Sequence, residues 1–359
     1  MTTLKNLFLV TFFCVLGSFG VGCNKTSVSP HDTSPNKNLP ANFSKGAFIL
    51  NEGNFGWGVA TVDFLSFEKD TIYADIFAVA NNNAPLGNVV QSMLPAPDCF
   101  LLSVNNSQKV EIVNNSNFKR QKTINGLRSP RYMALSSNSD KVFITDLYDT
   151  ALSVAELKSG QVLSRINLGF SSEKIARFKD KILVCAGSLD YKTGQFLVID
   201  EHSQKIIQRI NLESMPLDMT LNGNTGQVWL ALAASDTKNG SICCLEYNTN
   251  YTLAQQSTLP NFKPRKICYD EQEKKLYVLA QNTVYTTNTS HAKLELFLSF
   301  PSAQIIYNMS VNTQRKELYL TEALDYVQKG KLLVYDLASK KLKKTYRVGV
   351  IPSEILFTD

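Results

Sequence analysis

Residues 130–135 read Pro-Arg-Tyr-Met-Ala-Leu, and residues 142–146 read Val-Phe-Ile-Thr-Asp. Two short apolar segments separated by a turn rich in Ser and Asn are typical of consecutive antiparallel β-strands. Counterparts of the second segment begin at residues 47, 100, 182, 228, 276 and 318. The seven copies recur every 40 to 53 residues along the chain, which is the length of one four-stranded blade of a β-propeller.

The remaining strands of each blade can be recognised around these copies. A third strand follows most of them, as in residues 196–200, and a fourth follows that one, as in residues 206–210. The strand that precedes a copy often begins with proline, as at Pro130, Pro216 and Pro264. Proline suits the first residue of a strand because no ladder hydrogen bond has to be donated there.

The two ends of the repeat region complement each other. Residues 47–50 have no preceding inner strand, whereas residues 352–357 form an inner strand that no blade follows. Pairing these segments completes one blade and closes the ring, so that no sheet edge is left exposed. We therefore predict an all-β fold: a seven-bladed β-propeller over residues 46–359, closed by N- and C-terminal strands that share one blade. An open array of β-sandwich sheets is the alternative.

The first 22 residues have the features of a lipoprotein signal peptide. Lys5 precedes an apolar stretch, residues 7–16, which is too short to span a membrane comfortably. Small residues then lead to Cys23, and this pattern resembles the lipobox of bacterial lipoproteins, although Gly20 occupies the position where Leu is usual. The resemblance implies lipidation of Cys23, with palmitate as a typical acyl group. An ordinary secreted protein cleaved near Gly22 is the alternative.

Residues 23–45 are predicted to form a flexible tether. This segment is rich in Asn, Ser, Thr, Pro and Lys and contains few large apolar residues. It cannot bury enough apolar surface to offset the loss of chain entropy on folding. The chain carries a formal net charge of +6 without a basic run interleaved with aromatic residues, and we therefore expect no nucleic-acid partner.

The residues with catalytic or ligating chemistry are few and scattered. His31, His202 and His291 do not have the spacing of metal ligands, and no Gly-x-Ser-x-Gly elbow occurs. We predict no metal, no cofactor and no enzymatic activity. The alternative is a hydrolase or lyase that uses Asp146 and Asp190. The five cysteines that follow the tether are expected to be small buried apolar residues rather than disulfide partners.

One face of the ring is predicted to bind a ligand. The connections after the second strands and those before the inner strands share this face, and they contain aromatic, amide and charged residues that could stack on a ring system and hydrogen-bond its substituents. The predicted ligand-binding residues are Asn51, Glu52, Asn54, Phe55, Trp57, Arg131, Tyr132, Asp146, Tyr148, Asp190, Tyr191, Arg265 and Tyr326. For Asn51, Asp146 and Asp190 the alternative is a structural role in turns, and for Phe55 and Trp57 it is packing on a neighbouring blade.

The repeat resembles the YncE-like, YVTN-repeat propellers, and residues 130–135 with 142–146 carry this resemblance. Residues 48–56 (Phe-Ile-Leu-Asn-Glu-Gly-Asn-Phe-Gly) and 86–93 (Leu-Gly-Asn-Val-Val-Gln-Ser-Met) are similar to a set of lipoproteins from the Bacteroidota that includes BtuG-type proteins. The resemblance implies a non-catalytic, lipid-anchored protein of the outer membrane, on the cell surface, that captures cobalamin or another corrinoid beside a TonB-dependent transporter.

Two alternatives to this function and placement remain open at the level of the sequence. A glycan-binding or protein-docking propeller of the cell envelope would have the same fold. Residues 24–26 (Asn-Lys-Thr) lack the acidic character common after the lipidated cysteine of surface lipoproteins. Anchoring on the periplasmic side is therefore the alternative to the cell surface.

Overall fold

The computed structural model describes residues 38–289 and 293–358, which form seven four-stranded antiparallel sheets. The strands are, in chain order, β1 (Gly46–Asn51), β2 (Thr61–Ser66), β3 (Thr71–Tyr73), β4 (Val90–Pro95), β5 (Cys99–Val104), β6 (Lys109–Asn114), β7 (Arg120–Ile124), β8 (Pro130–Leu135), β9 (Lys141–Asp146), β10 (Ala151–Glu156), β11 (Val162–Asn167), β12 (Ser171–Phe178), β13 (Lys181–Gly187), β14 (Gly194–Asp200), β15 (Lys205–Leu212), β16 (Pro216–Leu221), β17 (Val228–Leu232), β18 (Ser241–Tyr247), β19 (Tyr251–Ser257), β20 (Pro264–Asp270), β21 (Lys275–Ala280), β22 (Thr283–Asn288), β23 (Glu295–Ser299), β24 (Ile306–Asn312), β25 (Glu317–Glu322), β26 (Lys329–Asp336), β27 (Leu342–Val350) and β28 (Pro352–Thr358). A short helix, α1 (Ile76–Ala80), and a 3₁₀ turn, Asn105–Ser107, complete the described elements.

Each sheet is one blade of the predicted seven-bladed propeller, and the structure confirms that fold. Blade 1 has the strand order β28-β1-β2-β3, and blades 2 to 7 follow with four consecutive strands each, from β4–β7 to β24–β27. The inner strands β28, β4, β8, β12, β16, β20 and β24 contact one another in turn around the central channel. Cys23 and the predicted signal peptide lie outside the described residues.

The ring is closed by pairing between the two ends of the described chain, as predicted. Strand β1 lies between β2 and β28, with Ile355 opposite Ile49 and Phe357 opposite Ala47. Sequence-distant strands thus complete blade 1, and no sheet edge is exposed at the seam. The hydrogen bonds that close the ring therefore lie within blade 1, between β1 and β28, next to the seam where blade 7 meets blade 1.

Apolar side chains fill the spaces between neighbouring blades. Phe48 of blade 1 contacts Phe100 of blade 2 with ring centroids 5.0 Å apart, and Trp229 of blade 5 lies 4.7 Å from Tyr269 of blade 6. Fully burying one such side chain contributes about 1.5–3 kcal/mol. The five cysteines among the described residues are unpaired, and Cys185 is fully buried, which agrees with the apolar role predicted for them.

Every inner strand has a β-bulge near its first residue. In β16, Pro216 pairs with Leu232 and Asp218 with Ala231, so that Leu217 is the extra residue. Equivalent irregularities interrupt β4, β8, β12, β20, β24 and β28. A bulge changes the direction of the side chains beside it, and here it does so at one end of the central channel.

That end of the channel opens on the face that we name the upper face. It consists of the connections that follow the second strand of each blade and those that precede each inner strand. The two kinds of connection meet at the seam, where the backbone N–H of Glu52 donates to the carbonyl of Ile351 over 2.9 Å. The opposite side of the ring is the lower face. Strand β1 begins there, because its other end, at Asn51, enters an upper-face connection.

Candidate functional site

An exposed apolar patch lies where the upper-face loops of blades 1 and 7 meet. The side chain of Asn54 donates to the carbonyl of Tyr326 over 2.5 Å and joins the two loops. Phe55 and Trp57 are 70% and 74% exposed. We name this surface the seam patch, and its members are Phe55, Trp57, Val59, Tyr326 and Val327, all of them exposed. Large apolar side chains grouped in this way on a soluble surface indicate a binding site.

The sequence of the first loop explains why its aromatic side chains project outward. Asn88 accepts from the backbone of Gly56 over 2.9 Å and donates to the carbonyls of Asn54 and Gly58. A Cβ atom at Gly58 would lie 2.2 Å from the backbone nitrogen of Asn54. Gly53 has a φ of +71°, a region that favours glycine. The loop is thus held by one amide side chain and two glycine positions, and its aromatic residues are free of core packing.

A cavity of about 260 Å³ lies directly beside the seam patch. One wall is the loop that carries Asn54 and Val59, and the opposite wall includes Lys329 and Val348. The buried side chain of Asp63 is also part of its lining. The patch is therefore the border of a concave surface, the shape that ligand sites usually have.

A second, smaller apolar group lies on the upper-face loops of blades 3 and 4. Tyr148, Leu189 and Tyr191 are exposed there. Tyr191 adopts a φ of +63°, which is unusual for a residue with a side chain. Its backbone N–H donates to the carbonyl of Ser188 over 3.0 Å, so that a tight turn holds this aromatic ring outward.

The channel mouth between these patches is lined by charged and polar groups from the bulged ends of the inner strands. Arg131 forms an ion pair with Glu173 over 2.9 Å and also donates to the side chain of Gln91. Tyr307 donates to Glu52 over 3.2 Å. Burial raises the pKa of Glu52, and the positive charge of Arg131 opposes this effect. The mouth can therefore offer both donors and acceptors to a ligand.

A second layer of charges lies one step deeper in the channel. Lys174 lies 3.5 Å from Asp218, 3.7 Å from Glu354 and 3.9 Å from the ring centroid of Tyr132. Burial alone would lower the pKa of Lys174, yet the ring and the two carboxylates raise it above its usual value. Burial raises the pKa of Glu354, against the attraction of Lys174 and Lys266. The lysine side chain keeps 20% of its surface accessible inside the channel.

The structure brings most of the predicted binding residues to the upper face or the channel mouth. These are Glu52, Asn54, Phe55, Trp57, Arg131, Tyr132, Tyr148, Tyr191, Arg265 and Tyr326. Phe55 and Trp57 are exposed, so that the alternative in which they pack on a neighbouring blade is wrong. The binding role of these residues remains a prediction.

Three predicted residues instead have the turn roles that were the alternative. Asp146 is buried, and its carboxylate accepts from the backbone N–H groups of Ser129, Tyr148 and two further residues. Asn51 is buried and donates to Thr61 over 3.1 Å. Asp190 accepts from the hydroxyl of Ser188 within its own turn. These side chains organise the loops that present the other residues.

Sequence reasoning missed several charged and polar residues of the channel, both at its mouth and in the deeper layer. Gln91, Glu173, Lys174, Asp218, Lys266 and Glu354 were not among the predicted residues, although all of them line the channel. A signal was present, because a charged residue stands two positions after the proline that opens an inner strand, as in Asp218, Lys266 and Glu354. The bulge that turns the neighbouring side chain inward cannot be read from such a pattern.

Neither metal ligation nor membrane crossing is indicated by the described residues. Residues 38–289 and 293–358 contain no group of three His, Cys, Asp or Glu side chains arranged to hold a metal ion. Within the same ranges, no helix has the length and apolar character needed to traverse a bilayer.

Solved structures similar to this chain are propellers of several kinds. A quinonprotein alcohol dehydrogenase-like protein from Bacteroides thetaiotaomicron aligns with a TM-score of 0.67 and 20% identity over 89% of this chain and 79% of its own. A periplasmic gluconolactonase from Pseudomonas aeruginosa aligns with a TM-score of 0.65 and 12% identity over 88% of this chain and 99% of its own. A functionally unknown protein from Desulfotomaculum acetoxidans aligns with a TM-score of 0.62 and 15% identity over 88% of this chain and 100% of its own.

At these identities the structural neighbours bear on the fold alone. No curated protein sequence matches the chain. Residues 45–358, which include all 28 strands of the ring, match the sequence profile of one family. The chain belongs to that family, DUF5074, which is described as a domain of unknown function.

Proposed function

We propose that this protein captures a bulky small molecule on its upper face without converting it, and that a corrinoid such as cobalamin is the first candidate ligand. The observation that carries the proposal is the seam patch, a group of exposed large apolar side chains on two hydrogen-bonded loops beside a cavity. An apolar ring system could lie on Trp57 and Phe55, while amide or hydroxyl substituents meet Glu52 and Arg131. The resemblance to BtuG-type proteins supports the choice of corrinoid.

Binding without turnover is supported by how the acidic side chains are used. Asp146, one of the two carboxylates considered for catalysis, accepts four backbone hydrogen bonds at the base of a turn. One oxygen of Asp190 accepts from the hydroxyl of Ser188 and the backbone N–H of Lys192 within a surface turn. Both carboxylates thus take part in turns that shape the upper face. Replacing each by Asn should leave ligand binding at the seam patch unchanged.

The proposed placement is the outer membrane, on the cell surface, through a lipid on Cys23, with a TonB-dependent transporter as partner. Strand β1 begins on the lower face, and Phe43 just before it is buried against Phe48 and Phe64. A tether that enters at this position would leave the upper face pointing away from the membrane. Metabolic labelling with an alkyne analogue of palmitate tests the anchor, because a Cys23→Ser variant should lose the label.

Calorimetric titration of the full-length, detergent-purified protein with cyanocobalamin tests the proposed ligand. We expect binding with a 1:1 stoichiometry and an affinity at least about tenfold weaker in Trp57→Ala, since stacking on an exposed aromatic ring contributes on the order of 1 kcal/mol or more. Leu253→Ala is the matched control, because Leu253 is equally an exposed large apolar residue but lies on the outer strand β19. Absence of binding at high micromolar cobalamin would rule out the corrinoid.

A glycan-binding or protein-docking propeller is the second candidate, and it is favoured by the extent of the exposed apolar surface. A glycan array distinguishes the two candidates. Glycan binding that is lost in Trp57→Ala and retained in Leu253→Ala, together with no response to cobalamin, would replace the first candidate with the second.

A further inference from the structure

The four cationic side chains of the channel differ in how their charges are balanced. Arg131 is paired with Glu173 over 2.9 Å, and Lys174 has two carboxylates within 4 Å. Lys266 lies deeper, in the field of Asp218 and other acidic groups. Arg265 has no carboxylate of the described residues within ion-pair distance of its guanidinium, and, unlike Lys266, it is influenced by two tyrosines and by no acidic group.

The hydrogen bonds of Arg265 leave part of its guanidinium unused. Both of its contacts come from one nitrogen, Nη2, which donates to the carbonyl of Gln281 over 2.9 Å and to the carbonyl of Ile306. The Nε atom is buried and has no hydrogen-bond partner among the described residues. Burial lowers the pKa of Arg265, against the weaker effects of two tyrosines. A buried cation of this kind costs free energy unless an anion compensates it.

The surroundings of Arg265 indicate what such an anion would be attached to. Tyr326 and Tyr307 are the titratable groups that influence the guanidinium. Their rings meet edge to face with centroids 6.0 Å apart. The backbone carbonyl of Tyr326 accepts from the side chain of Asn54 in the adjacent loop, and Tyr326 is itself a member of the seam patch, so that the two tyrosines link Arg265 to that patch.

We propose that Arg265 is the anion-binding subsite of the upper face and takes the carboxylate or phosphate group of a ligand whose apolar body lies on Tyr307 and Tyr326. A guanidinium is planar and weakly hydrated, and its donors match the oxygen atoms of carboxylates and phosphates. The inference rests on the proposed function, since it specifies the chemical class of the ligand bound at the same face: a molecule with an apolar ring and an oxyanion.

The test uses three small probes that share a phenyl ring on the full-length protein: benzoate, phenyl phosphate and neutral benzamide. Ligand-observed NMR titrations up to about 10 mM should show binding of at least one acid about tenfold tighter than benzamide. A preference between the acids identifies the oxyanion as carboxylate or phosphate. This comparison needs no variant, so that it holds even if substitutions at Arg265 impair folding.

The variant Arg265→Gln should abolish the preference for the acid, with benzamide binding unchanged. Arg128→Gln is the matched control, because Arg128 is an exposed arginine in an upper-face connection and should retain the preference. Equal binding of acid and amide, no binding of either acid, or an unchanged preference in Arg265→Gln would each overturn the inference.

Failure of this inference and failure of the proposed function are distinguishable. One outcome is that cobalamin binds, that Trp57→Ala weakens this binding, and that the acids bind no more tightly than benzamide. That outcome would support the capture function and rule out the anion subsite. The opposite outcome is that the acids bind through Arg265 and that Trp57→Ala changes the affinity for no ligand. That outcome would support the anion subsite and rule out a binding role for the seam patch.

Discussion

The central channel and the spaces between the blades are both buried, but they are filled by opposite kinds of side chain. Between blades, aromatic and aliphatic residues such as Phe48, Phe64 and Phe118 pack on one another. In the channel, Lys174, Asp218 and their neighbours form a layered network of ions. Paired buried charges contribute little net stability, whereas apolar burial is the main stabilising contribution to folding. The comparison separates the part of the molecule that holds the ring together from the part available for recognition.

Asp63 is an ionisable side chain that is buried outside the central channel. It lies near the seam between blades 7 and 1, where its carboxylate accepts from the backbone N–H groups of Asp75 and Gly349, each over 2.9 Å. No lysine or arginine of the described residues is within ion-pair distance of it. Burial raises its pKa to about 6. The channel carboxylates, in contrast, face cations that oppose the same effect of burial.

The largest expected loss of stability comes from truncating an aromatic residue between blades. Phe48→Ala removes a fully buried ring that contacts Phe43, Phe64, Phe100 and Phe118. The free energy of unfolding should fall by about 3–5 kcal/mol, as measured by urea denaturation. Leu253→Ala, on an exposed part of an outer strand, should change it by less than about 0.5 kcal/mol. A loss below about 1 kcal/mol for Phe48→Ala would contradict the assignment of stability to the inter-blade cores.

Lys174→Met should be the most destabilising change in the channel. It leaves Asp218 and Glu354 buried without their common cation, a situation that costs about 3 kcal/mol or more. Part of this penalty should disappear as the pH falls, because Glu354, whose pKa burial already raises, takes up a proton. Urea denaturation at pH 7 and pH 5 measures both effects.

Lys205→Met provides the control for the charge change, since Lys205 is exposed at the start of β15. It should be nearly neutral at both pH values. A Lys174→Met protein as stable as the wild type at pH 7 would show that the channel charges are solvated and independent of one another.

The same contrast explains which features could be predicted from the sequence. Apolar strand patterns repeat in every blade, so that the fold and the pairing of residues 352–357 with β1 were predictable. The sequence assigned Phe55 and Trp57 to a glycine-rich loop of the binding face but left open whether they pack on a neighbouring blade, and their exposure is seen only in the structure. The deeper layer of the channel was not predictable, because the inward direction of Lys174 and Asp218 depends on bulges that local sequence does not specify.

Asp63→Asn should change how stability depends on pH. The folded state holds the proton of Asp63 with a pKa of about 6, whereas the ordinary value of 3.8 applies to the unfolded chain. Between these values the folded state binds more protons, so that this group makes the free energy of unfolding fall as pH rises from about 4 to about 6. The loss amounts to about 2–3 kcal/mol, since one pKa unit corresponds to about 1.4 kcal/mol.

Urea denaturation from pH 4 to pH 7 checks this prediction through the difference between wild type and variant. The free energy of unfolding of Asp63→Asn, relative to that of the wild type, should increase as pH rises across that range. Asp236→Asn, at an exposed upper-face position, should follow the wild-type curve. Parallel curves for wild type and Asp63→Asn would show that Asp63 is ionised in the fold without a penalty.

The smallest expected effect on stability belongs to Trp57→Ala. Its side chain is 74% exposed in a loop that Asn88 holds in place, so that the free energy of unfolding should change by less than about 0.5 kcal/mol. Stability and ligand affinity are then measured on the same sample, and only the affinity should fall. A destabilisation of 2 kcal/mol or more would mean that Trp57 packs against the ring in solution, and the seam patch would then belong to the structural region of the molecule rather than to its binding surface.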